Sequence, residues 1–265
     1  MSARIHPTAV IEVGAKIDPT VLIGAFSVIG AGARIGPEAR IRPHVVIEGD
    51  VSIGEQVFVG DGAVIHGPAV IGDRSALFPY ALVGQVAQFA NHHKYEARVE
   101  IGSGTILREF VAVNKPVTAA ATKVGAGCYL MARTQVDHDC VIESFVKTAT
   151  GVTLGGSVHI EEHAYLGMNA VVHQGLRIGR ACMIGMNGAV TAHVPPFTTL
   201  VDRRITRVNA IGLARIGATE ADIARIDAYY RAGEMCDADD PWIRAIRDFR
   251  ARVAPAATAR VALTS

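Results

Sequence analysis

A large aliphatic residue recurs at every sixth position from Ile5 to Ile53, and the same beat runs on through Val59, Ile65, Ile71 and Leu77 to Val83. Written in hexads the chain begins IHPTAV, IEVGAK, IDPTVL, IGAFSV, with a small or β-branched residue in fifth place: Ala9, Ala15, Val21, Ser27. A period of six matches neither the two-residue alternation of a half-buried strand nor the 3.6-residue stripe of a helix. The repeating unit is therefore larger than a single element. If each hexad is one short strand and a turn, three hexads close an 18-residue coil whose first-place aliphatics stack inside a triangular prism. Successive coils then pair through their backbones, each adding about 4.8 Å along the axis.

The pattern is interrupted twice. Residues 84 to 100 contain no hexads, yet Ile101, Leu107 and Val113 resume in the register of Val83. A second break, near 115 to 123, shifts the phase, and a new run starts at Val124 and continues to Val190, with Thr148 the one polar residue in the series. About ten coils are expected over residues 1–196, with two loops leaving them. Pro195 and Pro196 lack backbone donors and are expected to end strand pairing. Over 197–265 a small helical domain is expected. Thr219 precedes an amphipathic run with Ile223, Ile226 and Tyr230, and Asp240 and Pro241 open a second with Trp242, Ile243, Ile246 and Phe249. Disorder is expected from Ala254 onward.

Composition narrows the function classes. The 26 basic and 25 acidic residues nearly cancel, so no global field favours nucleic acid or a membrane surface. No apolar run has the length of a membrane-spanning helix, and the N-terminal MSARIHPTAV has no apolar signal core. The four cysteines lack metal-type spacing, which together with the missing signal implies reduced thiols and a cytoplasmic protein. No metal is expected: His138, His159, His163 and His173 occupy different hexad places.

A prism has no natural cleft, so chemistry has to arise at its loops or between copies. Residues 18 apart lie above one another where the register is unbroken, which places His138, Gly156 and Gln174 in one column. A histidine beside a free backbone amide suits acyl transfer: imidazole takes a proton from an acceptor hydroxyl, Asp139 fixes its tautomer, and the Gly156 N–H stabilises the oxyanion.

Hexads of the form aliphatic, Gly, x, x, small, x resemble the left-handed parallel β-helix of the hexapeptide-repeat transferases. More narrowly, the segments IHPTAV (5–10), RVEIG (98–102), TKVG (122–125), HDC (138–140), VHQ (172–174), VPP (194–196) and VNAIGLARIG (208–217) resemble, in order and spacing, the bacterial UDP-N-acetylglucosamine O-acyltransferases. That resemblance covers nearly the whole chain. It implies a homotrimer with active sites between adjacent β-helices, acting in the first step of lipid A biosynthesis. The donor would be a 3-hydroxyacyl group carried as a thioester on the phosphopantetheine of acyl carrier protein, with no resident cofactor, and the acceptor the 3-hydroxyl of the UDP-amino sugar. By the same resemblance His138 is the general base, Asp139 its partner and Gly156 the oxyanion donor, while Lys94, His173, Gln174, Asn209 and Arg215 contact substrate, and Met186 stands where the family sets its hydrocarbon ruler. Five positions depart from the family pattern: Gln135 and Ser157 each stand where a substrate-contacting histidine is common, Thr150 and Gly151 replace an asparagine pair, and Ile211 replaces a glutamate. Those departures leave two alternatives open, a paralogous acyltransferase for a different nucleotide sugar and a non-catalytic trimeric scaffold.

Overall fold

The structure, a computed structural model, describes residues 4–89, 97–232 and 240–253. Two expectations, the substrate-contacting Lys94 and the disorder from Ala254, lie outside the described residues. Among the described residues the hexads form a parallel β-helix with three faces, whose sheets hold 12, 10 and 9 strands, the first counting the two strands of a hairpin that follows the last coil. Strands are two to four residues long along the coils, as six-residue repeats with a turn in each allow. The first-place aliphatics point inward and stack as one continuous core, with Ile29, Ile47, Ile65, Leu107, Leu130 and Leu166 completely buried. Thr148, the polar member of the series, is buried too, and its hydroxyl is bonded at 2.8 Å to that of Thr134, which donates in turn to the Met131 carbonyl.

Cross-coil register shows what the two interruptions are. In the unbroken part Ile11 pairs with Ile29 and Val124 with Ile142, each one coil further on. Across the first interruption Ile71 pairs with Ile101, and across the second Ile101 pairs with Val124. The first insertion thus adds two whole hexads and leaves the beat in phase, whereas the second adds five residues and shifts it. Both are bulges from a coil rather than replacements for one, because the coils on either side pair directly. Their limits are tighter than the hexads suggested: Leu82–Gln85, Arg98–Ile101 and Ala121–Val124 are strands, so the second loop occupies only 115–120.

The expected end of strand pairing at the prolines is corrected by the structure. Val194 still bridges to Ile178, and Thr198–Val201 pairs in parallel with Met183–Ile184 before Arg204–Val208 folds back against it as an antiparallel hairpin. Two prolines remove two donors, but the residues beyond them keep theirs, and the last coil leaves an open edge for them to cover. Three helices follow among the described residues: α1 (Ala210–Arg215), α2 (Glu220–Ala232) and α3 (Pro241–Val253). Thr219 caps α2 by accepting from the Asp222 N–H, and the Asp222 carboxylate accepts from the Thr219 N–H at 2.8 Å; Asp240 accepts from the Trp242 N–H in the same way for α3. Phe197, Leu213, Ile226, Tyr229, Ile243 and Ile246 close a second small core on Ala181. Arg252 of α3 reaches Glu161, which also receives Arg177 at 2.8 Å.

Three cysteines are core atoms of the prism. Burial pushes the Cys128 thiol up to about 11 and those of Cys140 and Cys182 up to about 12, and each S–H donates to a carbonyl of a neighbouring turn. Because the thiolate is the reactive form, peptides carrying these three residues are expected to stay unmodified when the native protein meets excess iodoacetamide at about pH 8, and to be alkylated after unfolding, as read by peptide mass mapping.

Candidate active site

Each coil turns three corners, and one of them gathers most of the chemistry. Both insertions leave the prism between the face that holds Val83 and Val113 and the face that holds Ile101 and Val124. Asp137 to Cys140, Gly155 to Val158 and His173 to Leu176 make that same corner in the next three coils. The Ser157 N–H donates to the His138 carbonyl and the Gly175 N–H to the Gly156 carbonyl, both at 2.8 Å, so the column of His138, Gly156 and Gln174 is a stack of hydrogen-bonded turns.

His138 is held at its backbone and at its ring. Its N–H donates to Asp137 Oδ1 at 2.8 Å, an oxygen that also accepts from Asn114 Nδ2. Its Nδ1 lies 2.9 Å from Asp139 Oδ2. Burial pushes the Asp139 carboxyl up, but hydrogen bonds from His138, Ala119 and Thr118 outweigh it and hold the group below the ordinary carboxylate range. An ionised carboxylate only accepts, so His138 Nδ1 carries the proton, and in the neutral imidazole the lone pair is on Nε2. The ring is largely enclosed, with 15% of the side chain exposed, and Phe89 meets it in a T-shaped pair with centroids 5.4 Å apart.

Gly156 lies directly beneath this imidazole. A Cβ placed on it would fall against His138 Cε1 and Nε2, inside the ring's own volume. Among the described residues no carbonyl accepts from the Gly156 N–H, which leaves a backbone donor beside the free nitrogen of the imidazole. A base with an open lone pair next to an unengaged amide can deprotonate a nucleophile and stabilise the oxyanion that forms.

The remaining sequence-derived residues divide by corner. Ser157 and Gln174 are exposed at the His138 corner, and His173 donates from Nδ1 to the Gln174 carbonyl at 3.1 Å. Gln135, on the strand leading to His138, has its amide Nε2 buried with no partner among the described residues. Met186, 72% exposed, sits at a different corner, between the strands Met183–Ile184 and Ala189–Val190, and Asn209 and Arg215 lie beyond the last coil, Asn209 against Ala181. Asn209 is engaged internally: its Oδ1 accepts from the Gly212 N–H as the α1 N-cap, and its Nδ2 donates to the Ala181 carbonyl at 2.8 Å. A single chain therefore assembles His138, Asp139, Gly156, Ser157, His173 and Gln174, and does not bring Met186 or Arg215 to them. Sequence reasoning missed Phe89, Asn114 and the donors of the second loop. The available signal was the location of the insertions, both at the corner of the base and in the two coils before it.

Comparison with known proteins gives concordant findings. Residues 14–49 match the model described as bacterial transferase hexapeptide (six repeats), and residues 50–77 and 157–192 match the hexapeptide repeat of succinyl-transferase. The chain is similar to the acyl-(acyl-carrier-protein)-UDP-N-acetylglucosamine O-acyltransferase of Herminiimonas arsenicoxydans, 34% identical over 86% of this chain and 81% of that one. It is also similar to the enzyme of the same name from a Synechocystis strain, at 35% identity over 69% of this chain, and there it spans about two thirds (66%) of the relative's length. Among solved structures, the UDP-N-acetylglucosamine acyltransferase from Campylobacter jejuni superposes with a TM-score of 0.77 at 25% identity, covering 97% of this chain and 99% of that one.

The fit of Gly156 under His138 is testable. Gly156→Ala is expected to displace the imidazole and lower acyl transfer by about 100-fold, since an ångström of misplacement has that effect. Circular dichroism should stay unchanged, because the turn itself is retained.

Proposed function

The chain belongs to the acyl-(acyl-carrier-protein)-UDP-N-acetylglucosamine O-acyltransferase family, and we propose that it transfers a 3-hydroxyacyl group from acyl carrier protein to the 3-hydroxyl of UDP-N-acetylglucosamine, the first step of lipid A biosynthesis. The observation that carries this reading is the stack of Asp139-bound His138 over the Gly156 amide. His138 Nε2 takes the proton of the sugar hydroxyl as its oxygen attacks the thioester carbonyl. The carbonyl π electrons move to oxygen, and the Gly156 N–H meets that charge. Collapse re-forms the carbonyl and breaks the C–S bond, and the imidazolium returns its proton to the departing pantetheine sulfur. The products are the O-acyl sugar and the free carrier thiol. No acyl-enzyme intermediate and no resident cofactor enter this sequence.

A homotrimer supports the rest of the site. Met186 and Arg215 lie away from the His138 corner of their own chain, and a second copy beside it brings a different corner to the base. Apolar side chains such as Val10, Leu22 and Val171 stand exposed on outer faces of the prism, as an interface between copies requires. Arg215, exposed at the end of α1, then meets the diphosphate or the carrier protein. None of the helices among the described residues is long and apolar enough to cross a membrane. We place the reaction in the cytoplasm on the nature of its two substrates.

One observation favours a second acceptor. Gln135 and Ser157 stand where the family commonly has imidazoles, and the buried Gln135 Nε2 is a donor among the described residues with nothing to donate to. A related UDP-amino sugar with a matching acceptor is the alternative. The retained Asp139, His138 and Gly156 speak against a purely structural scaffold.

Mass spectrometry of the purified protein with 3-hydroxyacyl carrier proteins of graded length and UDP-N-acetylglucosamine tests the reading. An ester product is expected, and a product only with the 3-amino analogue would move the assignment to the second acceptor. His138→Ala is expected to lower turnover by roughly 100- to 10,000-fold; retention of wild-type turnover would remove the base. Met186→Gly is expected to shift preference toward longer acyl donors, and an unchanged chain-length profile would sink the ruler.

A further inference from the structure

We propose that the loop over residues 115–120 is a built anion nest for Asp139, and that Thr118 is a positioning residue through which this loop orients the His138 base; the inference rests on the reading of His138 just given. The loop carries the five-residue insertion that breaks the hexad phase, and it lies at the His138 corner one coil earlier. Three successive amides converge on the Asp139 carboxylate. The Val117 and Ala119 N–H groups donate to Oδ1 at 3.0 and 2.7 Å, and the Thr118 N–H is shared between Oδ1 at 3.0 Å and Oδ2 at 3.2 Å. Consecutive backbone donors around one anion are the arrangement by which irregular chain holds a charge.

The division of labour between the two oxygens is what makes Thr118 specific. Its hydroxyl donates to Oδ2 at 3.0 Å, the same oxygen that receives His138 Nδ1–H. A carboxylate turns readily about its last torsion, which is broad and two-fold. With Oδ1 engaged by Val117 and Ala119 and Oδ2 by the Thr118 hydroxyl, the plane of the group is set, and with it the direction of the acceptor facing the imidazole. The main chain is fixed from the other end of the loop, where the Asp139 N–H donates to Thr122 Oγ1 at 3.0 Å. The loop is moored upstream as well, since the Lys115 N–H donates to the Gln85 carbonyl and its Nζ to the Gly67 carbonyl at 2.5 Å. Asp139 itself is buried, so water cannot substitute for these donors.

A loop that merely filled space at the corner would need no hydroxyl at position 118 and no convergence of amides on the partner of the base. Here every donor of the 117–119 segment named above ends on one carboxylate. The consequence for the reaction is orientation: Thr118 touches no reacting atom, yet it holds the acceptor that keeps the His138 proton on Nδ1 and the lone pair on Nε2.

The test compares Thr118→Val with Thr118→Ser. For Thr118→Val the expected result is a kcat lowered about tenfold, the scale of one hydrogen bond to a charged group. KM for both substrates should hold near its wild-type value, while the thermal midpoint falls by a few degrees at most, since the folded state loses one donor to a buried carboxylate. Thr118→Ser, which restores the hydroxyl, should return kcat to within about twofold of wild type. Nitrogen-15 NMR of the His138 ring should show a single Nδ1–H tautomer in the wild type and a mixture of tautomers in Thr118→Val. An unchanged kcat and a single tautomer in Thr118→Val would overturn the proposal, as would a serine variant as impaired as the valine one. The tautomer measurement needs no turnover, so it reports on positioning even if His138→Ala shows that another group is the base.

Discussion

Everything in this molecule hangs on the backbone pairing of one coil with the next, 18 residues on where no loop intervenes. Each rung sets the height of a coil at about 4.8 Å and leaves the side chains at equivalent places in straight columns. Columns facing inward become the aliphatic core, with Ile, Val and Leu stacked on like residues above and below. Columns at corners become the only places where the chain can change length without breaking a rung. The two insertions are found there, and the coils beyond each of them pair as if nothing had intervened.

That constraint explains why the candidate site is where it is. A smooth prism has no cleft, so a pocket is made by extra chain standing out from a corner, and here two coils in succession extend the same corner just before the coil of His138. The first insertion delivers Phe89 to the imidazole, and the second delivers a set of amides and a hydroxyl to Asp139. Burying a carboxylate opposes its ionisation, and only a dense set of donors keeps it charged. The interruption of the repeat is thus coupled to the chemistry of the residue one rung later.

Much of this was legible from the residues in order. The hexad beat defines coil, core and prism because its period excludes both ordinary secondary structures, and the caps at Thr219 and Asp240 announce two of the helices through side chains that satisfy orphan amides. The column of His138, Gly156 and Gln174 follows from arithmetic on an unbroken register. What was not legible involved pairings without a period. The hairpin beyond Pro196 forms because the last coil presents an unpaired edge, and α1 begins just after Asn209 because that carboxamide caps one N–H while gripping the Ala181 carbonyl.

By itself, then, the sequence determined the repeat, the register and the column that places His138, Gly156 and Gln174 on successive rungs, all of which depend on spacing along one chain. Tertiary structure decided which corner the loops share, that the segment from Val117 to Ala119 closes on Asp139, and that Met186 and Arg215 stand apart from the base of their own chain. The difference has one physical cause. Strand pairing repeats, so a residue's rung can be counted, whereas the hydrogen bonds of an insertion are made by backbone groups that no side-chain pattern records, and their direction exists only once the coils have stacked.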